Sequence, residues 1–323
     1  MVSLLEVNNL STSFDIEGEK FLAVNDISFN LKDGEILGII GESGSGKSVT
    51  ALSVMNLLPK YKAKIESGSI MFKGKDLTKL KEKELCKIRG EDISIIFQEP
   101  MTALNPIVTI EEQIREVLLT HRSLSKNEIF NEIREVLLKL RIPNPEEFMK
   151  KYPFEISGGM LQRVVIAMAI ICKPSIIIAD EPTTALDVTT QAEILNLLKE
   201  ITKDIGSSII LITHDLGVIA EMATKVAVMY RGRIIEESSS LEFFDNPKHP
   251  YSKGLIKSMP KNYNCSNRFY SIKGTVPYLT EEINGCEFCN RCDKSMKICS
   301  VKVPFDIKVN EDHRVKCWLY DKR

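Results

Sequence analysis

The stretch Gly41-Glu42-Ser43-Gly44-Ser45-Gly46-Lys47-Ser48 constrains this chain more than any other. It has the form G-x-x-x-x-G-K-S and directly follows the apolar run Glu35-Ile36-Leu37-Gly38-Ile39-Ile40, which reads as a buried strand. A strand that enters such a loop and leaves it as a helix makes a cradle for phosphate. The glycines let the backbone curl so that several N–H groups face one anion, and the helix beginning near Lys47 adds the positive end of its dipole. Lys47 is expected to reach the β- and γ-phosphates as a point charge, and the Ser48 hydroxyl to take a place on Mg²⁺. An ordinary glycine-rich turn needs neither a lysine nor a hydroxyl at those two places.

The remaining segments supply strands whose ends can meet that loop, in an α/β arrangement. Short strands are predicted at Leu4 to Val7 and Phe21 to Phe29, with a turn at Lys32-Asp33-Gly34. Phe14, near these strands, suits either an adenine ring or a core. After the loop, Val49 to Leu58 is predicted as a helix ended by Pro59, and Gly68 to Gly74 as a short strand. Ile93 to Phe97 is a strand that delivers Gln98, where a glutamine can touch both Mg²⁺ and an attacking water. Apolar spacing is helical from Thr109 to Leu140, a helical insert between sheet strands.

Ser157-Gly158-Gly159-Met160 precedes the apolar helix Leu161 to Ile171. Ser157 suits an N-cap, and the two glycines beside it leave backbone N–H groups open to a second phosphate. Ser175 to Ala179 is a buried strand that ends in Asp180-Glu181, a costly place for two carboxylates unless a cation or proton uses them. Asp180 is expected to hold Mg²⁺ through its water shell, and Glu181 to polarise the hydrolytic water as general base. Ala185-Leu186-Asp187 leads into a helix from Thr190 to Lys203, and the strand Ser207 to Thr213 sets His214 within reach of a γ-phosphate. Strands at Lys225 to Tyr230 and Gly232 to Glu236 close the main domain, and composition shifts after Ser238-Ser239-Ser240.

The length, 323 residues, allows one large domain plus an appendage. A formal net charge of −1 gives no electrostatic footprint for nucleic acid, so no nucleic-acid partner is expected. No run reaches the roughly 18 apolar residues of a membrane span, and the first residues show no secretory signal; the protein is expected in the cytoplasm. Of eight cysteines, five (Cys286, Cys289, Cys292, Cys299 and Cys317) crowd the last tenth or so of the chain, which in a reducing compartment favours metal thiolate ligation over disulfides.

Taken in order, Gly41 to Ser48, Gln98, Ser157-Gly158-Gly159, Asp180-Glu181, Leu186-Asp187 and His214 resemble the motif set of ABC transporter ATPases, over roughly residues 3 to 237. The resemblance implies a RecA-like P-loop core with an antiparallel β subdomain and a helical subdomain at about 100–165. The ATPase domain would cover 1–238, with an extension over 239–323. It implies that ATP is bound by Phe14, at the adenine-stacking position, Gly41, Ser43, Gly44, Ser45, Gly46, Lys47, Ser48, Val49, Gln98 and His214. Mg²⁺ would be held through Ser48, Gln98 and Asp180, and Glu181, His214, Gln98 and Lys47 would carry catalysis. Two such domains pair head to tail in that family, so Ser157, Gly158 and Gly159 of a second related ATPase subunit, or of a second copy, would close over the nucleotide. Met160 departs from the commonest S-G-G-Q form, while Gln162 and Arg163 remain.

Finer matches, Phe97 to Pro106, Ser157 to Met160, Thr183 to Val188, His249-Pro250-Tyr251 and His313-Arg314-Val315, resemble the dipeptide and oligopeptide importer ATPases over nearly the whole chain. That likeness implies a peripheral subunit on the cytoplasmic face of the cell membrane. It would energise peptide import through two transmembrane permease subunits, with a solute-binding protein as an indirect partner. It also implies a [4Fe–4S] cluster on Cys286, Cys292, Cys299 and Cys317. Cys289 is extra and creates C-x₂-C-x₂-C, so it stands as an alternative ligand, and a four-thiolate Zn²⁺ is the alternative metal. A soluble ABC ATPase acting on ribosomes or nucleic acid predicts two ATPase domains in one chain or a long coiled coil, with a basic surface. An iron–sulfur redox protein predicts a site for a substrate or electron partner. The sequence has none of these features.

Overall fold

The computed structural model describes residues 3–184, 186–259 and 270–321. Ala185 of the loop before Asp187 lies outside the described residues, as does 260–269 in the low-periodicity stretch of the tail. The chain opens with β1 (Ser3–Ile16) and β2 (Glu19–Lys32), paired antiparallel. Both run beyond the short strands read from the sequence. The buried Thr12 and Ser13 hide the alternation, and bulges let the ladder continue past breaks in register. The buried β3 (Ile36–Ile40) leads through the glycine loop into α1 (Lys47–Val54). This helix stops short of the expected Leu58 because Asn56 adopts φ 50°, a left-handed conformation that ends the helical run before Pro59 is reached.

Next come β4 (Ala63–Phe72), β5 (Lys75–Asp76), α2 (Glu82–Ile88) and β6 (Ile93–Ile96). A layer of helices follows: α3 (Pro100–Ala103), α4 (Ile110–His121), α5 (Lys126–Lys139), α6 (Pro145–Phe148) and α7 (Gly158–Ile170). The helical run expected from Thr109 to Leu140 is two helices, since Thr109 with Glu112 and Ser125 with Glu128 each close a reciprocal cap. Ile110, Ile114 and Leu118 of α4, and Ile129, Ile133 and Leu137 of α5, are buried in one core with α7. The chain continues through β7 (Ile176–Asp180), α8 (Val188–Ile205), β8 (Ser208–Ile212), α9 (Leu216–Met222), β9 (Lys225–Tyr230) and β10 (Arg233–Ser239). It ends with α10 (Ser240–Asp245), α11 (Pro250–Ser258), β11 (Ile307–Asn310) and β12 (His313–Val315).

Among the described residues the strands form two sheets, one ordered β2-β1-β4-β5 and the other β11-β12-β10-β9-β3-β8-β7-β6. From β9 to β6 the second sheet is parallel, and its isoleucine-rich strands are buried along their length, as expected of a sheet covered on both faces. Asp180 and Ile39 both pair with Ile212, and Ile96 pairs with Ala179, so β3, β6, β7 and β8 finish side by side. The loops leaving those carboxyl ends share one crevice, the usual ligand place in a parallel sheet.

The tail is tied to the same sheet. Glu236 in β10 pairs with Val315 in β12, so the last strands of the tail extend the main sheet. The Glu236 carboxylate meets His313 Nε2 at 2.7 Å, both side chains being fully buried, and accepts backbone N–H groups of Lys248 and His249 at 2.6 and 2.7 Å.

Candidate active site

Two glycines give the loop its shape. Gly46 caps α1 with φ 98°, and a Cβ there would lie 2.5 Å from the carbonyl oxygen of Ala23; at Gly41 it would lie 2.2 Å from that of Met229. The backbone therefore passes where a side chain cannot follow. Lys47 is buried, and its Nζ donates to the carbonyls of Gly41 (2.8 Å) and Glu42 (3.2 Å). Burial holds its pKa below the ordinary lysine value, against the opposing pull of the Glu181, Asp180 and Glu42 carboxylates.

Residues 43–49 line a cavity of about 470 Å³ together with Gln98, Glu181, Thr184 and His214. Glu181 stands just past β7 with φ 49°, and its N–H still donates to the Ile212 carbonyl at 2.8 Å. One carboxylate oxygen accepts Gln98 Nε2 (3.0 Å) and Thr184 Oγ1 (2.9 Å), and the other meets His214 Nδ1 at 3.2 Å. A carboxylate fixed by three neighbours beside a buried lysine is placed to take a proton from a water in the cavity. The sequence reading missed Thr184, whose signal is a hydroxyl three residues after the strand-end glutamate.

Asp180 is buried beneath this cavity, and its Oδ1 has no hydrogen-bond partner. Burial pushes its carboxyl above the usual range, opposed by a hydrogen bond from Ser48. An orphaned buried carboxylate oxygen beside a hydroxyl fits a hard divalent cation such as Mg²⁺, whose charge would offset the desolvation.

Other expected site residues lie elsewhere. Phe14 is half-buried in β1, paired with Phe21 and Ala63, and does not line the cavity. Ser157 caps α7, its Oγ accepting the Met160 N–H at 3.4 Å, with Gly158 and Gly159 in the first turn; none of the three lines the Lys47 cavity. Asp187 caps α8 by accepting the Thr190 N–H at 3.0 Å, and the hydroxyls of Thr189 and Thr190 help hold its carboxyl well below the usual range.

In the tail, Cys286, Cys289, Cys292, Cys299 and Cys317 line one small cavity with His249, Phe288 and Trp318. Burial, with the neighbouring thiols, pushes Cys286 up to about 12 and Cys317 up to about 11. Cys289 Sγ lies 3.1 Å from Ser295 Oγ. Among the described residues no group of three or more His, Cys, Asp and Glu side chains is placed to hold a metal ion.

An apolar groove of about 570 Å³ runs between the end of β6 and the helical layer, lined by Leu57, Phe97, Val117, Val165 and Met168 among others. Phe97, Met101 and Ile107 are exposed beside it. Among the described residues no helix is long and apolar enough to cross a membrane.

Comparison with known proteins follows these features closely. Residues 24–184 match the family model described as ABC transporter, and residues 235–299 match the one described as oligopeptide/dipeptide transporter, C-terminal region. The chain is 50% identical to the dipeptide transport ATP-binding protein DppD of Bacillus subtilis, over all of this chain and 96% of that one. It is 46% identical to the oligopeptide transport ATP-binding protein AppD of the same organism, over all of this chain and 98% of the relative. Among solved structures, the ATP-binding cassette MJ0796, a dimer bound to ADP and Pi, superposes with a TM-score of 0.65 at 29% identity, over 73% of this chain and 98% of that one. CbiO1 from Clostridium perfringens, part of the ABC transporter complex cbiONQ, superposes with a TM-score of 0.66 at 29% identity, over 76% of this chain and 92% of that one.

Proposed function

This chain belongs to the ABC transporter ATP-binding family, with the C-terminal region of the oligopeptide and dipeptide transporters, and on that premise we propose how its residues work in the ATP-hydrolysing subunit of a peptide importer. The observation that carries the reading is the meeting of Lys47, Gln98, Glu181, Thr184 and His214 around one cavity over the glycine loop. The loop N–H groups and Lys47 bind the phosphates, and Phe14 takes the adenine. Asp180, Ser48 and Gln98 hold Mg²⁺, which when bound neutralises charge on the phosphate oxygens. Glu181, positioned by Gln98, Thr184 and His214, accepts the proton of the attacking water, and His214 also faces the γ-phosphate.

Ser157, Gly158 and Gly159 serve a second ATPase subunit or a second copy, completing its site across a head-to-tail pair. Their place outside this chain's own cavity supports that assignment. The division of labour follows residues 1–238 for ATP hydrolysis, with a helical subdomain at about 100–165, and 239–323 for the extension. The groove at Phe97 receives the permease subunits, and the chain works at the cytoplasmic face of the membrane; the exposed apolar residues at the groove support this reading.

The tail holds a structural [4Fe–4S] cluster through Cys286, Cys292, Cys299 and Cys317. Five thiols around one cavity, with Cys289 turned to Ser295, support this donor set. Protein purified without air is expected to contain iron and acid-labile sulfide; zinc without either would overturn the cluster.

The test of the whole reading is a pull-down of tagged Glu181→Gln protein with ATP from detergent-solubilised native membranes. Two multi-span subunits with a second ATPase are expected. Ribosomal proteins or nucleic acid without membrane subunits would overturn it.

A further inference from the structure

Glu42, the second residue of the glycine loop, is held by groups more than two hundred positions downstream. Its backbone N–H donates to Tyr251 Oη of α11 at 2.9 Å, and its carboxylate accepts Arg291 Nη1 at 3.0 Å. Its carbonyl oxygen accepts Lys47 Nζ at 3.2 Å. A single residue thus joins the C-terminal extension to the lysine of the nucleotide site.

Both anchors are themselves fixed. Tyr251 is fully buried, and the Arg291 side chain is 5% exposed. The guanidinium also donates to the carbonyls of Lys273 (2.9 Å) and Gly274 (3.2 Å), and lies 5.8 Å from the ring centroids of Tyr230 and Phe288. Phe288 packs against Tyr230 and Tyr251 with centroids 5.3 Å apart in each case. Segment 286–292, which carries three of the tail's thiols, therefore presents both Phe288 and Arg291 to the loop.

Two physical effects follow. A carboxylate beside a phosphate cradle repels a polyanion, and the guanidinium offsets that charge. A loop held in its binding shape also loses less freedom when the ligand arrives. We propose that the C-terminal extension positions the phosphate loop through Tyr251 and Arg291, so that nucleotide affinity depends on how the cysteine-bearing segment is folded. The proposal rests on the reading of the Lys47 cavity as the ATP site. Arg291 and Tyr251 are positioning residues that act through Glu42.

The test uses the full-length chain, titrated with a fluorescent ATP analogue and Mg²⁺, and assayed for steady-state hydrolysis. Arg291→Met is expected to raise Kd and KM about tenfold, equivalent to about 1.4 kcal/mol, with a smaller change in kcat. Arg291→Lys, which keeps the charge but loses the fork, and Tyr251→Phe are each expected to raise Kd about threefold. In a Glu42→Gln background, Arg291→Met is expected to add less than about threefold, because the carboxylate charge that the guanidinium offsets is already gone. A tenfold loss in both backgrounds, or no loss in either, would overturn the proposal. If Arg291→Met does not fold, the two milder variants decide it, and unchanged Kd in both would overturn it. A wild-type chain that binds no nucleotide would sink the ATP-site reading along with the proposal, whereas normal wild-type binding with unaffected variants sinks the proposal alone.

Discussion

Glu181→Gln separates proton transfer from everything else the carboxylate does. The amide has the same shape, and its oxygen can keep the position that accepts Gln98 Nε2 at 3.0 Å and Thr184 Oγ1 at 2.9 Å. Its NH₂ then faces His214 Nδ1, now 3.2 Å from the second oxygen, and the imidazole can accept that proton in its other tautomer. All three contacts survive, so the variant loses basicity without losing its place. General-base catalysis contributes about 10²- to 10⁴-fold, or about 3–5 kcal/mol of barrier. Nucleotide affinity should hold or rise, since a negative charge close enough to act on Lys47 has been removed. Single-turnover hydrolysis of Mg-ATP, beside equilibrium titration with an ATP analogue, measures both quantities. A turnover within about threefold of wild type would remove Glu181 as the base, and loss of affinity instead of rate would mean that the carboxylate shapes the loop.

Lys47→Ala should weaken nucleotide binding by at least about tenfold in the same titration, as a charge-assisted donor contributes about 1.5–3 kcal/mol. Gly46→Ala forces φ 98° on a residue with a side chain and sets its Cβ 2.5 Å from the Ala23 carbonyl. The conformation alone costs about 1–3 kcal/mol, so a lower urea midpoint and lost nucleotide binding are expected. His313→Ala removes one of the hydrogen bonds on the buried Glu236 carboxylate, a loss of about 1.5–3 kcal/mol in urea unfolding at pH 7. Burial alone would raise the Glu236 pKa, but the bonds from His313 and the N–H groups of Lys248 and His249 hold it below the ordinary value. Its stabilisation is therefore complete above the unfolded glutamate pKa of about 4.3 and is lost as pH falls through the lower folded pKa. Without His313 that loss should begin at higher pH, and an unchanged acid limb would refute the linkage. Gly158→Ala should leave the melting curve unchanged yet weaken ATP-dependent pairing of Glu181→Gln chains, read by size-exclusion chromatography.

The cavity over the glycine loop was legible because its signals are local. The glycine loop, the carboxylates after Ala179, Gln98 and His214 each sit next to an apolar run that announces a strand, and parallel strands bring their carboxyl ends to one crevice. Thr184 escaped because its signal, a hydroxyl three residues past the strand-end Glu181, is a single residue in a turn with no periodic pattern around it. The first strands were read short because Thr12 and Ser13 are buried through contacts with other segments, Thr12 against Ser53 and Ser13 against Glu66. β11 and β12 are too brief for periodicity to register, so their joining of the main sheet was invisible. Glu42 and Arg291 stand 249 positions apart, and no local rule pairs them.

The adjacent glycines after Ser157 answer different demands. A Cβ on Gly159 would lie 2.8 Å from Thr190 Cγ2, so the packing of α7 against α8 already excludes a side chain there. Among the described residues a Cβ on Gly158 would meet Leu186 Cδ2 at 3.8 Å, an ordinary contact. Nothing among the described residues requires Gly158 to be a glycine. Its first-turn N–H has no acceptor within its own helix, at the end where the dipole favours an anion. The Lys47 cavity is lined by none of these residues. On the proposed head-to-tail pairing, a phosphate carried by another subunit would account for both facts, the unneeded glycine and the separated half-site. Two identical or related chains satisfy the demand together when each offers its Lys47 cavity to the other's α7.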